Sequence, residues 1–172
     1  MAQPDYTKID EALIARAVDV MAQAKQQSLT LVTAESCTGG LIASVLSQAP
    51  GAGDHLHGGF VTYTKQQKAK ALGVSAHLLE ERGAVCEPVA RALAEGALER
   101  SPADIAISVT GVAGPDTDED GNPVGLVYLA AARRSTQTIC VERNFGNFGA
   151  GDIRYRAVME ALDLIERVMA RR

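Results

Sequence analysis

Within Thr33-Ala34-Glu35-Ser36-Cys37-Thr38-Gly39-Gly40 a carboxylate, a hydroxyl and a thiol occupy consecutive positions, and a second hydroxyl and two glycines follow. The run Leu29-Thr30-Leu31-Val32 leads into this segment, and Leu41, Ile42, Val45 and Leu46 leave it at helical spacing. The pattern predicts strand, tight turn, helix. Such a turn presents small side chains to a surface, and the first N–H groups of the helix lack intrahelical partners, which suits them to an oxyanion or a phosphate. Ser36 and Cys37 are both candidate nucleophiles. A thiol at a helix start ionises more readily than one in mid-chain, so the residue types leave the choice between them open.

Two further turns carry reactive side chains. Tyr63 closes a run of high β-propensity over residues 58–64, and Lys68 lies five positions later in a segment of helical pattern over residues 65–72. A lysine desolvated near such a turn loses its proton more easily and can then take the proton of a serine hydroxyl. Ser36, Tyr63 and Lys68 thus form a candidate nucleophile–base set. The third turn, Thr110-Gly111-Val112-Ala113-Gly114-Pro115, ends the nearly continuous apolar run over residues 104–110. In an open α/β sheet the carboxyl ends of parallel strands meet at the ligand crevice, so all three turns are expected to line one site.

Other signals carry less. Residues 116–121, Asp-Thr-Asp-Glu-Asp-Gly, open like a calcium loop, but the twelfth position is Val127 where a bidentate Glu is required, and Pro123 intervenes. They are read as a solvated acidic loop. His55 and His57 have no third ligand nearby in sequence, and His77 falls on a surface helix, so no metal is implied. G-x-S-x-G, the P-loop pattern and G-x-G-x-x-G are absent, and no cofactor is expected.

The elements that must position these turns follow from the periodicity. Residues 7–27 and the terminal segment through Val158, Ala161, Leu162, Ile165 and Met169 are amphipathic helices. A helix opening at Pro88 precedes the apolar strand, and residues 124–132 and 138–145 form a hairpin whose edge, Val124 to Leu129, is a candidate for pairing with a second copy. Five strands and about six helices define a single-domain α/β fold over residues 1–172, a three-layer α/β/α sandwich with a mixed, mainly parallel sheet. A net charge of −4, no Trp and 4% aromatic residues disfavour nucleic-acid and membrane-surface partners. Cysteines at 37, 86 and 140 are odd in number, residues 1–10 are polar and acidic, and no apolar run reaches spanning length, which together point to the cytoplasm.

The blocks Thr33 to Gly40, Gly59-Phe60-Val61-Thr62-Tyr63 with Lys68, Gly83-Ala84-Val85-Cys86-Glu87-Pro88-Val89-Ala90, and Val109 to Pro115 with Pro123-Val124-Gly125 closely resemble the CinA C-terminal family, in the family's order. The resemblance implies a nicotinamide-nucleotide amidohydrolase that converts nicotinamide mononucleotide and water to nicotinic acid mononucleotide and ammonia in pyridine nucleotide recycling. It implies Ser36 as nucleophile with Tyr63 and Lys68 as activating partners, and no metal. In that reading Glu35 orients the turn, N–H groups from Cys37 to Gly39, beside Gly40, meet the oxyanion, and Thr110, Gly111, Ala113 and Gly114 shape the pocket. Thr38 or Arg154 meets the phosphate. The family commonly has Ser at Cys86, Asn at Lys65, and an Arg just ahead of the last helix where this chain has Gly149-Ala150-Gly151. Relatives often carry a larger N-terminal domain, and the chain is expected to be the stand-alone form. The alternatives are a non-catalytic nucleotide-binding regulatory module and an amidohydrolase of another small amide; a homo-oligomer is expected in either case.

Overall fold

A computed structural model describes residues 9–171. In chain order the elements are α1 Glu11–Gln26, β1 Leu31–Glu35, α2 Leu41–Ser47, α3 Ala52–His55, β2 Leu56–Val61, α4 Lys65–Leu72, α5 Ala76–Arg82, α6 Glu87–Glu99, β3 Ile105–Gly111, β4 Leu126–Arg133, β5 Ile139–Asn144 and α7 Ala150–Met169. The strands form one sheet in the order β2-β1-β3-β4-β5. β1 pairs in parallel with β2 and β3, while β4 is antiparallel to both β3 and β5, so every strand except β4 runs in one direction.

Alternation along β3 divides the interior. Ile105, Ile107 and Val109 face a core built with α1, α2 and α7, whereas Ala106 faces a second core against α4, α5 and α6. The second core is rich in small residues, among them Ala34, Ala90, Ala94, Ala97, Ala130 and Ala132, which lets α6 lie close to the sheet. Gly96 serves the same closeness between helices. A Cβ there would stand 2.1 Å from the Leu72 carbonyl oxygen at the end of α4. Helix layers on both faces of the sheet give the expected three-layer sandwich.

Several boundaries differ from the sequence reading, each for a local reason. Gly51, with φ +86°, opens the four-residue helix α3, which the periodicity does not predict. β2 begins at Leu56 and ends at Val61, so Tyr63 lies in the connection to α4 rather than at a strand end. The Thr64 hydroxyl accepts the Gln67 N–H at 3.1 Å and starts α4 there. The start expected for α1 near residue 7 falls partly outside the described residues. β4 is interior, hydrogen-bonded on both sides, so the Val124–Leu129 edge is not available to a second copy; the sheet's edges are β2 and β5. Among the described residues no helix is long and apolar enough to cross a membrane.

Candidate active site

Parallel pairing of β1 with β2 and β3 carries the connections after all three strands to one end of the sheet. A cavity of about 400 Å³ opens there, lined by Ser36 and Cys37 after β1, Tyr63, Thr64, Lys65 and Lys68 from the start of α4, and Thr110 to Gly114 at the end of β3. Ser36 follows the last residue of β1, donates its N–H to the Val109 carbonyl at 3.1 Å, and is 7% exposed. It faces Lys68. The Lys68 Nζ lies 2.9 Å from Ser36 Oγ, 2.8 Å from the Thr62 carbonyl oxygen and 3.2 Å from that of Tyr63.

Lys68 is 1% exposed, and its hydrogen-bond partners are two carbonyls and a hydroxyl, all neutral. Burial lowers its pKa from the ordinary lysine value to about 8. A neutral amine has two N–H donors and one lone pair. Two carbonyls on one side and the Ser36 hydroxyl on the other match that inventory, with the lone pair accepting the hydroxyl proton. Tyr63, expected as an activating partner, meets Lys68 through its main-chain carbonyl, and the residue lines the cavity wall with 65% of its surface exposed.

Glu35 does not point to a ligand. It is fully buried, and Oε2 accepts from Thr38 Oγ1 at 2.7 Å, Gly40 N at 3.1 Å and Ile42 N at 3.0 Å, while Oε1 accepts from Ala43 N at 2.8 Å. The carboxylate thereby satisfies the opening donors of α2 and suits the positive end of its dipole. Three consequences follow for the sequence expectations. Glu35 is a support of the turn, the Thr38 hydroxyl is committed to it, and the Gly40 N–H is not free for an oxyanion. The Gly39 N–H is also spent, on the Ser36 carbonyl at 3.0 Å. Among the described residues the N–H groups of Cys37 and Thr38 have no protein acceptor. Gly39 and Gly40, with φ +62° and +98°, give the backbone the left-handed bend that this turn needs.

Cys37 packs with its thiol in the core against α1, α2 and α7, 4% exposed, and burial pushes its pKa up to about 12. The expected easy ionisation at a helix start loses to desolvation. Thr110 is buried and donates its hydroxyl to the Ala84 carbonyl at 2.8 Å, tying β3 to the connector before α6. At Gly111 a Cβ would stand 2.7 Å from the Leu126 carbonyl oxygen, so the residue permits close passage of β4. Ala113 and Gly114 line the cavity as expected. Arg154, in the first turns of α7, donates from Nε to the Cys37 carbonyl at 3.0 Å, which brings a cation beside the nucleophile turn despite the absence of an Arg at 149–151.

The acidic loop is a cavity wall, which the sequence reading missed. Asp116, Asp118, Glu119 and Asp120 line the side facing Lys65, and Ala84 and Val85 complete the rim. The only hint in the sequence is a lone Lys65 ahead of Lys68, and nothing in the spacing says that residues 55 positions apart meet. Among the described residues no group of three or more His, Cys, Asp or Glu side chains is arranged to hold a metal ion.

Fold and site together define a three-layer α/β domain with a buried serine–lysine pair at the carboxyl ends of its parallel strands. Comparison with known proteins places it further: the CinA C-terminal domain family model matches residues 14–169, and the chain belongs to that family. A CinA-like protein of Akkermansia muciniphila is 50% identical over 69% of this chain and 29% of its own length, and one of Geobacter sulfurreducens is 44% identical over 83% and 34%. The chain therefore spans about a third of the length of these curated relatives. Among solved structures, the competence/damage inducible protein of Agrobacterium tumefaciens superposes with a TM-score of 0.90 at 37% identity, covering 94% of this chain and 98% of that one. A CinA superfamily protein of Escherichia coli gives 0.87 at 35% identity, with 94% of each chain covered.

Proposed function

We propose that this chain hydrolyses the carboxamide of nicotinamide mononucleotide to nicotinic acid mononucleotide and ammonia, with Ser36 as nucleophile, Lys68 as its base and no cofactor. The observation that carries the reading is the 2.9 Å contact between Ser36 Oγ and a buried Lys68 amine whose pKa is about 8. At pH 7 about a tenth of such an amine is unprotonated, against roughly three parts in 10⁴ for an ordinary lysine. Ser36 Oγ attacks the carboxamide carbon while Lys68 takes the hydroxyl proton. The N–H groups of Cys37 and Thr38 receive the tetrahedral oxyanion, and each such donor is worth roughly 3 kcal/mol. The Lys68 ammonium returns the proton to the departing nitrogen as the C–N bond breaks, releasing ammonia. Water then attacks the acyl-Ser36 ester, giving a proton to Lys68, which returns it to Ser36 Oγ as the ester C–O bond breaks, releasing nicotinic acid mononucleotide and restoring the Ser36 hydroxyl.

The surrounding residues fit a cationic pyridine ring and a phosphate. The exposed Tyr63 at the cavity wall offers a ring face to the pyridine, and Arg154, which does not line the cavity but is held behind the Ser36–Cys37 turn by its hydrogen bond to the Cys37 carbonyl, supplies positive charge on the side from which the phosphate would approach. The test is ammonia release from nicotinamide mononucleotide by the wild type, Ser36→Ala and Lys68→Met, with and without chelator. Turnover confined to the wild type and indifferent to chelator supports the mechanism. Binding of the nucleotide without turnover in the wild type would replace it with the regulatory reading, and turnover of a different amide alone would move the substrate assignment.

A further inference from the structure

Three walls of the cavity meet at one carboxylate. Asp120 Oδ1 accepts from Lys65 Nζ at 2.8 Å, tying the acidic loop to the first turn of α4, which also bears Lys68. Its Oδ2 accepts the Ala84 N–H at 3.3 Å, tying the loop to the connector that forms the rim with Val85. Gly83 makes that approach possible, since a Cβ there would stand 2.5 Å from Asp120 Oδ2. Glu119 adds a second carboxylate to Lys65 at 3.0 Å. The loop is also braced from within, since Asp118 accepts from the N–H groups of Asp120 at 3.1 Å and Asn122 at 2.7 Å and from the Asn122 side chain at 2.8 Å.

A loop braced from within and attached at Asp120 behaves as a strap rather than a floppy segment. Lys65 and Asp120 are each under a third exposed, so their attraction is less screened than that of a fully solvated pair. We infer that Lys65 and Asp120 are positioning residues for the reaction at Ser36: their ion pair pins the acidic loop across the mouth of the cavity and sets how tightly the substrate is held. This rests on the amidohydrolase reading for its kinetic consequence but not for its structural one. Neither side chain hydrogen-bonds to Ser36 or to the Lys68 amine, so the chemical step is left alone and the loss falls on binding.

The experiment compares the wild type, Lys65→Met and Lys65→Arg. In Lys65→Met the KM for nicotinamide mononucleotide is expected to rise about three- to tenfold with kcat within twofold, and Lys65→Arg to recover most of the loss. Hydrogen exchange, read without substrate, is expected to quicken at the Ala84 amide and through residues 118–122 in Lys65→Met and to return toward wild type in Lys65→Arg. Equal exchange in wild type and Lys65→Met would overturn the strap whatever the turnover. Faster exchange with an unchanged KM would overturn its role in substrate holding. A wild type that shows the exchange difference but no turnover would overturn the amidohydrolase reading and leave the pinned strap standing, so the two failures are distinguishable.

Discussion

Lys65 and Lys68 stand one turn apart on the same helix, and their surroundings drive their amines in opposite directions. Lys65 faces Asp120 and Glu119, and these carboxylate hydrogen bonds raise its pKa. Lys68 is buried against the Thr62 and Tyr63 carbonyls and the Ser36 hydroxyl, and desolvation lowers its pKa to about 8. The difference lies in the partners rather than in the helix. A carboxylate rewards the charged form of an amine, and a dry neutral cage rewards the uncharged one. One lysine is consequently a fixed cation that can hold a wall, and the other is a base that can move a proton.

The largest expected effect tests whether Lys68 is that base. Lys68→Met is expected to lower kcat on nicotinamide mononucleotide by about 10³-fold or more, comparable to Ser36→Ala, because nucleophile and base act as one unit. Lys68→Arg should not rescue, since a guanidinium stays protonated at any working pH. The check is single-turnover ammonia release. An active Lys68→Met would end the contrast between the two lysines, leaving both as structural cations.

A second expected effect concerns Glu35, whose carboxylate is buried like Lys68 yet has no part in the proposed chemistry. Glu35→Ala strands the Thr38 hydroxyl and the Gly40, Ile42 and Ala43 N–H groups. A loss of about 3–5 kcal/mol in unfolding free energy is expected, measured by urea denaturation. Glu35→Gln keeps an acceptor oxygen and is expected to lose less. A stable Glu35→Ala with ordinary folding would show that the turn stands without its support.

Where the residue type itself carries the signal, the meeting of Ser36 and Lys68 at one cavity was readable before any coordinates. Ser36, Lys68 and the convergence of three turns follow from small reactive residues at the ends of apolar runs, and the alternation of elements leads to the three-layer sandwich. What stayed hidden depends on partners far away in sequence or on the main chain. The contact that Tyr63 makes with Lys68 is through a main-chain carbonyl, which every residue possesses, so no residue type could have announced it. Glu35 was assigned to the turn without its partners, because nothing in the spacing tells whether a carboxylate before a helix turns outward or back onto the helix's own N–H groups. The acidic loop was left to solvent because its contact with Lys65 spans 55 positions, and β4 was taken as an edge because its place between β3 and β5 is a matter of sheet order.

The third effect is a pH dependence with a definite sign. Lys68 has a pKa of about 8 when folded and the ordinary value of 10.5 when unfolded, so between these limits the unfolded chain binds more protons. Its contribution to stability is complete above pH 10.5 and is lost as pH falls toward 8. The shift corresponds to about 3 kcal/mol at most across that window. The comparison that isolates it is the unfolding free energy of wild type minus that of Lys68→Met, which is expected to increase from pH 8 to 10.5 and to be flat below pH 7. The activity should rise with pH through the same apparent pKa near 8. A flat difference would mean that Lys68 keeps its proton on burial and is no different in kind from Lys65.

The smallest expected effect sharpens which neighbour Lys68 serves. Cys37 follows Ser36 directly, yet its thiol packs in the apolar core with a pKa of about 12, and the Lys68 amine contacts the Ser36 oxygen instead. Acidity alone would favour the thiol, since an alcohol is the weaker acid and its proton moves only as the C–O bond forms. Geometry chooses, because a base assists the atom it touches. Cys37→Ala leaves the N–H that receives the oxyanion in place and removes only the sulfur, so kcat/KM is expected to stay within about threefold while stability falls by roughly 1 kcal/mol for the small void. Blocking by iodoacetamide should likewise be slow, because the thiol is both buried and protonated. A loss of several hundredfold in Cys37→Ala, with folding intact, would transfer the nucleophile to sulfur and make the 2.9 Å Lys68–Ser36 contact a packing detail.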